Sequence, residues 1–199
     1  QQVYEYLIDR DRQLNFVPEL ALSWEQLSPL KWRFKLRQGV KFHDGSAFNA
    51  DDVVYSINRA KEPTSQIAVY ANAVGVPKKI DDLTVEFEMT KVNPIFLEHI
   101  APLFILDKEW SEKNKATKPI DFKNKEEHSA ALNANGTGPY MLVKREPGIK
   151  TTWKRNPNYW DKTRQPNFEK LQVLQFKDDG ARLAALQSGQ VDWDAFSSA

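Results

Sequence analysis

The sequence predicts a mixed α/β fold, and three observations carry that reading. Residues 30–37, LKWRFKLR, alternate Trp32, Phe34 and Leu36 with Arg33, Lys35 and Arg37, the period of two that marks a half-buried strand. Residues 50–60 place Val53, Val54, Ile57 and Ala60 at helical spacing, so an amphipathic helix follows. Residues 81–90, DDLTVEFEMT, return to period two, with Val85, Phe87 and Met89 set against Glu86 and Glu88. Strand and helix patterns are interleaved without any internal repeat.

The elements follow in order. The chain opens on QQVYEYLIDRD, already inside an apolar segment (Val3, Tyr4, Tyr6, Leu7, Ile8), with no initiator Met and no polar lead-in. That start is expected of a mature or shortened chain. After the strand at 30–37, Gly39 leads into a short run through Val40 and Phe42 and then the turn HDGS. Asn49 is a good N-cap for the helix at 50–60, and Asp51 and Asp52 fall in its first turn, where they are expected at the surface. Lys, Glu and Asn crowd residues 107–135 around Trp110 and Phe122, which predicts a helix and a long surface excursion. Residues 136–156 read as a hairpin, with strands 140–144 and 150–155 about the turn EPGI. Residues 171–176, LQVLQF, read as a strand. DDGARLAALQSG then forms an acid-capped helix stopped by Gly189, and VDWDAF is expected to run on as a short strand.

Composition excludes several function classes. Lys plus Arg number 28 against 27 Asp plus Glu, a formal net charge of +1, which supplies no field for nucleic acid or an anionic membrane. Apolar residues make up 41%, yet no apolar run approaches the roughly 18 residues of a membrane span. Cysteine is absent, which removes thiol catalysis, thiolate metal sites and disulfides.

The one cluster that resembles an active site is His43, Asp44, Asp51 and Asp52. Turn and capping chemistry accounts for all three acids. Asp44-Gly45 is ordinary turn chemistry, and carboxylates at a helix start contribute about 0.3–1 kcal/mol each. His43, His99 and His128 lie far apart, with no second His at helical spacing, so no metal site is expected. No Gly-x-Ser-x-Gly elbow is present, no spacing singles out a pair of carboxylates, and GTG in NGTGPY lacks the further residues of a dinucleotide loop or a P-loop. A hydrolase using Asp44, Asp51 or Asp52 is the remote alternative. Aromatic residues are more suggestive, at 12%. Trp24, Trp32, Trp153 and Trp160 sit beside strand patterns and are expected in the core. Trp193 and Phe196 follow the last helix, where a ligand could be met.

The order of these pieces carries a resemblance. VYEYLIDRDRQLNFVPELALSWEQ, WRFKLRQGVKFHDGSAFNADDVVYSINRA, GTGPYMLVKREPG, RNPNYW and ARLAALQSGQVD occur in one line. Together they resemble the extracellular solute-binding proteins of family 5, the peptide-binding receptors of bacterial ABC importers, through nearly the whole chain. The resemblance implies the first lobe of a bilobal, class II periplasmic-binding-protein-like fold that clamps cargo between lobes. It implies a small β-rich subdomain at residues 22–135 inserted into a main part formed by residues 1–21 and 136–199. Family members continue into a second lobe, which this chain lacks and which holds the acid that receives a peptide's amino terminus.

Further implications follow from the same resemblance. The whole receptor is expected to be a non-enzymatic, monomeric protein without cofactor. It would be periplasmic or lipid-anchored on the outer face of the cytoplasmic membrane, and would hand peptides to membrane permease subunits. Relatives of the same fold take oligosaccharide, nickel chelates, haem or opines instead. Two regions match cargo-facing parts of the family: TSQIAVYA, with Tyr70 as the candidate contact, and the stretch after SGQVD, with Trp193 and Phe196.

Overall fold

The computed structural model describes residues 2–121, 123–124 and 129–193. A two-stranded antiparallel ribbon comes first, β1 (Ile8–Arg10) with β2 (Phe16–Pro18). The strands β3 (Ala21–Ser28), β4 (Lys31–Leu36), β5 (Val76–Asp81) and β6 (Thr84–Glu88) form an antiparallel sheet in the order β3-β4-β6-β5. Between β4 and β5 come α1 (Ala50–Ala60) and α2 (Ala68–Ala73). After β6 come α3 (Phe96–Ile100), α4 (Lys108–Lys113) and the single turn α5 (Ser129–Leu132). A second antiparallel sheet, β7 (Tyr140–Glu146), β8 (Lys150–Arg155) and β9 (Lys170–Leu174), precedes α6 (Asp179–Gln187).

The alternation in β4 sorts its side chains as a period of two requires. Phe34 and Leu36 are fully buried, and the stripe of α1, Val53, Ile57 and Ala60, belongs to the same core. Phe34 meets Phe87 edge to face at 5.5 Å, and Trp32 stacks on Phe96 at 5.0 Å, geometries that suit the ring quadrupoles. On the outer face Arg33 reaches Glu86 at 2.5 Å and Glu25 at 3.5 Å, with Lys31 3.5 Å from Glu86. Cross-strand charge pairing keeps that face polar. The four tryptophans expected in the core are half-buried instead: Trp24, Trp32 and Trp160 pack against its edge, and Trp153 is not part of it.

Two strands of the first sheet carry no usable alternation. In β3 only Ala21 is buried, and the register shifts twice. The other edge strand, β5, contains Pro77 and two lysines, residues that edge strands tolerate.

Helix α1 starts as expected in one respect and not in another. The Asn49 side chain accepts the Asp51 N–H at 2.7 Å, and Asp52 returns the favour by accepting the Asn49 N–H at 2.9 Å, a complete capping box. Asp51 is exposed and pairs with Lys79 at 2.6 Å. Asp52, expected at the surface, is instead only 4% exposed. Its second oxygen accepts the Lys108 N–H at 2.9 Å, so one carboxylate serves the start of two helices, and that second task draws it inside. The segment after α6 also departs from expectation. Residues 191–193 form no strand, because Gln190 and Val191 both donate to the Ala185 carbonyl beyond Gly189 at φ +73°, folding the chain back over the helix end.

GTGPY is a close passage of two backbones. Gly138 N–H donates to the Val3 carbonyl at 2.9 Å and Tyr140 N–H to the Gln2 carbonyl at 2.8 Å. A Cβ on Gly138 would lie 2.7 Å from the Gln2 carbonyl oxygen, and one on Gly136 1.9 Å from that of Val3. Gly138→Val should therefore lower stability by at least about 1–3 kcal/mol, read as a reduced urea midpoint. A second comparison separates the two acids of α1. Asp52→Ala should cost about 1–3 kcal/mol through two orphaned N–H groups, and Asp51→Ala no more than about 1 kcal/mol; equal losses would contradict the double-cap role.

Candidate functional site

The acid cluster of residues 43–52 resolves into a structural joint. His43 N–H donates to the Gly136 carbonyl at 2.9 Å, and His43 Nε2 lies 2.9 Å from the Gly138 carbonyl oxygen, so it carries the proton and donates. Burial holds this imidazole below its ordinary pKa, in its neutral form. Asp44 N–H donates to the Asn135 side-chain oxygen at 3.0 Å. Asn135 in turn donates to Asp107 at 2.9 Å, as does the Ser46 hydroxyl at 2.6 Å. Asp107 also caps α4 by accepting the Trp110 N–H at 2.8 Å. The carboxylate of Asp44 accepts the Ser46 N–H at 3.0 Å, and the Ser46 hydroxyl sits between it and Asp107, 2.6 Å from each. Each acid is thus occupied by the fold: Asp44 in its turn, Asp51 with Lys79, Asp52 between two helices. Among the described residues no group of three His, Asp or Glu converges to hold a metal ion.

Two surface depressions flank this joint. One, about 330 Å³, is lined by Tyr4, Arg59, residues 64–67, Phe104 and Trp110. The Tyr6 and Phe104 rings stack at 4.4 Å beside it. Burial lowers the pKa of the Arg59 guanidinium, which donates to the Ala116 and Lys118 carbonyls at 3.0 and 2.9 Å. Among the described residues it makes no ion pair with a carboxylate. The region TSQIAVYA therefore reaches this hollow through Thr64 to Ile67. Tyr70 is not among the lining residues; it stands 40% exposed on α2, its ring 6.0 Å from that of His99. Trp193 is 78% exposed beyond α6, and Phe196 lies outside the described residues. Tyr70, on α2, and Trp193, beyond the end of α6, share no ring contact.

The other depression, about 550 Å³, runs between residues 37–41 and residues 158–162. Beneath it lie two buried acids that the sequence did not single out, Glu5 and Glu19, 1% and 3% exposed. Glu5 accepts from the Tyr159 hydroxyl at 2.7 Å and the Trp160 indole N–H at 2.8 Å. Glu19 accepts the Tyr6 N–H at 3.0 Å. Burial raises both carboxyls, and with the charge of Glu5 beside it Glu19 reaches about 8. The motif RNPNYW supplies the two donors to Glu5.

The profile of the bacterial extracellular solute-binding proteins, family 5 Middle, matches residues 15–199. The chain belongs to that family. It is 32% identical over 197 residues to the dipeptide-binding protein of Escherichia coli K12, covering 87% of this chain and 35% of that one. It is 31% identical over 216 residues to heme-binding protein A of Haemophilus influenzae, covering 96% and 38%. Among solved structures, NikZ from Campylobacter jejuni in complex with Ni(L-His) superposes with a TM-score of 0.80 at 28% identity, over 96% of this chain and 37% of that one. The oligopeptide-binding protein AppA of Bacillus subtilis, in complex with a nonapeptide, gives 0.81 at 24% identity and shows the shared fold. The chain spans between a third and two fifths of the length of these relatives. The mixed α/β, periplasmic-binding-protein-like fold expected from the sequence is the fold observed.

The acid pair makes stability depend on pH with a definite sign. A carboxyl raised to about 8 in the fold, against the ordinary 4.5, contributes stability present below 4.5 and lost as pH rises through 8. Glu19→Gln should flatten that decline, so its melting temperature should exceed the parent's at pH 8–9 and approach it at pH 5. A variant that tracks the parent across that range would show that Glu19 ionises normally.

Proposed function

We propose that the protein containing this chain is the solute-binding subunit of a bacterial ABC importer. It would capture dipeptides or oligopeptides outside the cytoplasmic membrane and deliver them to the permease. The observation that carries the reading is the combination of the family match with the hollow beside Tyr4 and Phe104. That hollow is an aromatic and apolar wall with one half-buried guanidinium lacking a carboxylate partner among the described residues. Such a wall accepts varied side chains loosely while a cation receives a carboxylate. Relatives whose names specify dipeptide and glutathione binding support the peptide reading. The structure in complex with Ni(L-His) and the heme-binding relative favour a chelate or haem as the second reading.

Tyr70, Trp193 and Phe196 remain the proposed cargo contacts, with Arg59 added to them. A periplasmic or lipid-anchored location and the absence of catalysis belong to the same proposal, the latter supported by the structural occupation of Asp44, Asp51 and Asp52. So does the division into residues 1–21 with 136–199 and an inserted 22–135. Its support is that the four-stranded sheet lies within residues 21–88 and the three-stranded sheet within residues 140–174.

Native mass spectrometry of the freshly purified full-length protein should detect a co-purified peptide, lost on partial unfolding and refolding. A haem or metal chelate in its place would select the second reading, and hydrolysis of peptides or glycosides would overturn both. In the full-length protein Trp193→Ala should weaken cargo binding by about 1–3 kcal/mol, the contribution of a stacking partner, and scarcely move the melting temperature. An unchanged affinity would remove Trp193 from the cargo wall.

A further inference from the structure

The groove of about 550 Å³ between residues 37–41 and 158–162 gathers three cations, Arg37, Lys41 and Lys162, around the indole of Trp160. The chain as a whole is nearly neutral, so this gathering does not follow from general basicity. None of the three makes an ion pair with a carboxylate among the described residues. The carboxylates nearby are otherwise engaged. Asp161 is bound to Arg164 at 2.8 Å and to the Thr163 hydroxyl at 2.6 Å. Glu5 is buried under Tyr159 and Trp160, and Glu19 accepts from Tyr6.

Arg37 is held in place before any ligand arrives. Its guanidinium lies 4.6 Å from the centre of the Trp160 ring, and its Nε donates to the Glu19 carbonyl. Trp160 is itself pinned by its indole N–H on Glu5 at 2.8 Å. With Nε committed and one face against the ring, the terminal N–H groups of Arg37 are the donors left without a partner among the described residues. A planar, preoriented guanidinium fork in a groove also lined by two lysines suits a tetrahedral oxyanion, to which Arg binds through paired N–H groups and Lys as a point charge. The Lys162 ammonium is fixed at the groove's edge by donating to the Tyr159 carbonyl at 2.5 Å.

We infer that this groove is a second ligand site, one that binds a phosphate-class oxyanion through Arg37, Lys41 and Lys162. It lies apart from the hollow at Tyr4 and Phe104 and shares no lining residue with it, so it is independent of the proposed cargo wall. The oxyanion could be a free phosphate compound or the phosphate of a lipid headgroup, and the chemistry at the groove is the same for both.

The test uses the full-length protein and inorganic pyrophosphate, titrated by calorimetry at about 0.1 M salt so that exposed charges are screened. A parallel arm measures sedimentation with phosphatidylglycerol vesicles against phosphatidylcholine vesicles. Saturable one-site binding of pyrophosphate is expected, weakened at least tenfold in Lys41→Ala/Lys162→Ala and several-fold in Arg37→Lys, which keeps the charge and loses the fork. Cargo affinity and melting temperature of the double variant should match the parent's. Pyrophosphate binding without vesicle binding would assign a soluble ligand, and vesicle binding displaced by pyrophosphate a headgroup. Absence of saturable binding in both arms, or binding unchanged in the double variant, would overturn the proposal.

Discussion

Four separate stretches of chain meet at a single set of buried hydrogen bonds, and the rest of the structure is hung from it. Residues 2–5 supply carbonyls, residues 43–46 a turn, residues 105–108 a helix start, and residues 135–140 two glycines and an amide side chain. Buried donors and acceptors must be paired or they cost stability, and here most pair across the four stretches, with Asp52 and Asn156 completing the set. Asp107 alone satisfies a helix N-terminus, a hydroxyl and an amide. No one of the four stretches can shift without unpairing the others.

That arrangement explains how residues that resemble an active site are engaged by the fold instead. His43, Asp44 and Asp52 look reactive on the page because reactive sites and buried joints draw on the same residue types. The difference lies in what the lone pairs face. A catalytic acid presents at least one oxygen to a cavity, whereas both oxygens of Asp52 face backbone N–H groups. The aromatic wall and the cation groove are the reverse case, with donors and ring faces left toward solvent.

Local pattern made much of the fold legible. The strand at β4, the capped helix α1, the hairpin of β7 and β8 and the stop at Gly189 follow from alternation, capping and turn chemistry within a few residues. The edge strands β3 and β5 were not legible, because an edge strand buries little and so needs no alternation. Burial of Asp52 and Glu5 was not legible either, since each depends on a partner far away in the chain, Lys108 and Tyr159. The order of motifs read through to the family, but it did not show that Thr64 to Ile67, rather than Tyr70, line the hollow.

Amide hydrogen exchange of the full-length protein tests the joint most directly. The N–H groups of His43, Asp44, Lys108, Gly138 and Tyr140 should exchange only through global unfolding, at the free energy of the β4–β6 core. In Asp107→Ala all five should lose protection together while the core stays protected longer. Fast exchange of these five amides in the parent protein, with the sheet still protected, would show that the four stretches are not locked to one another and would contradict the account.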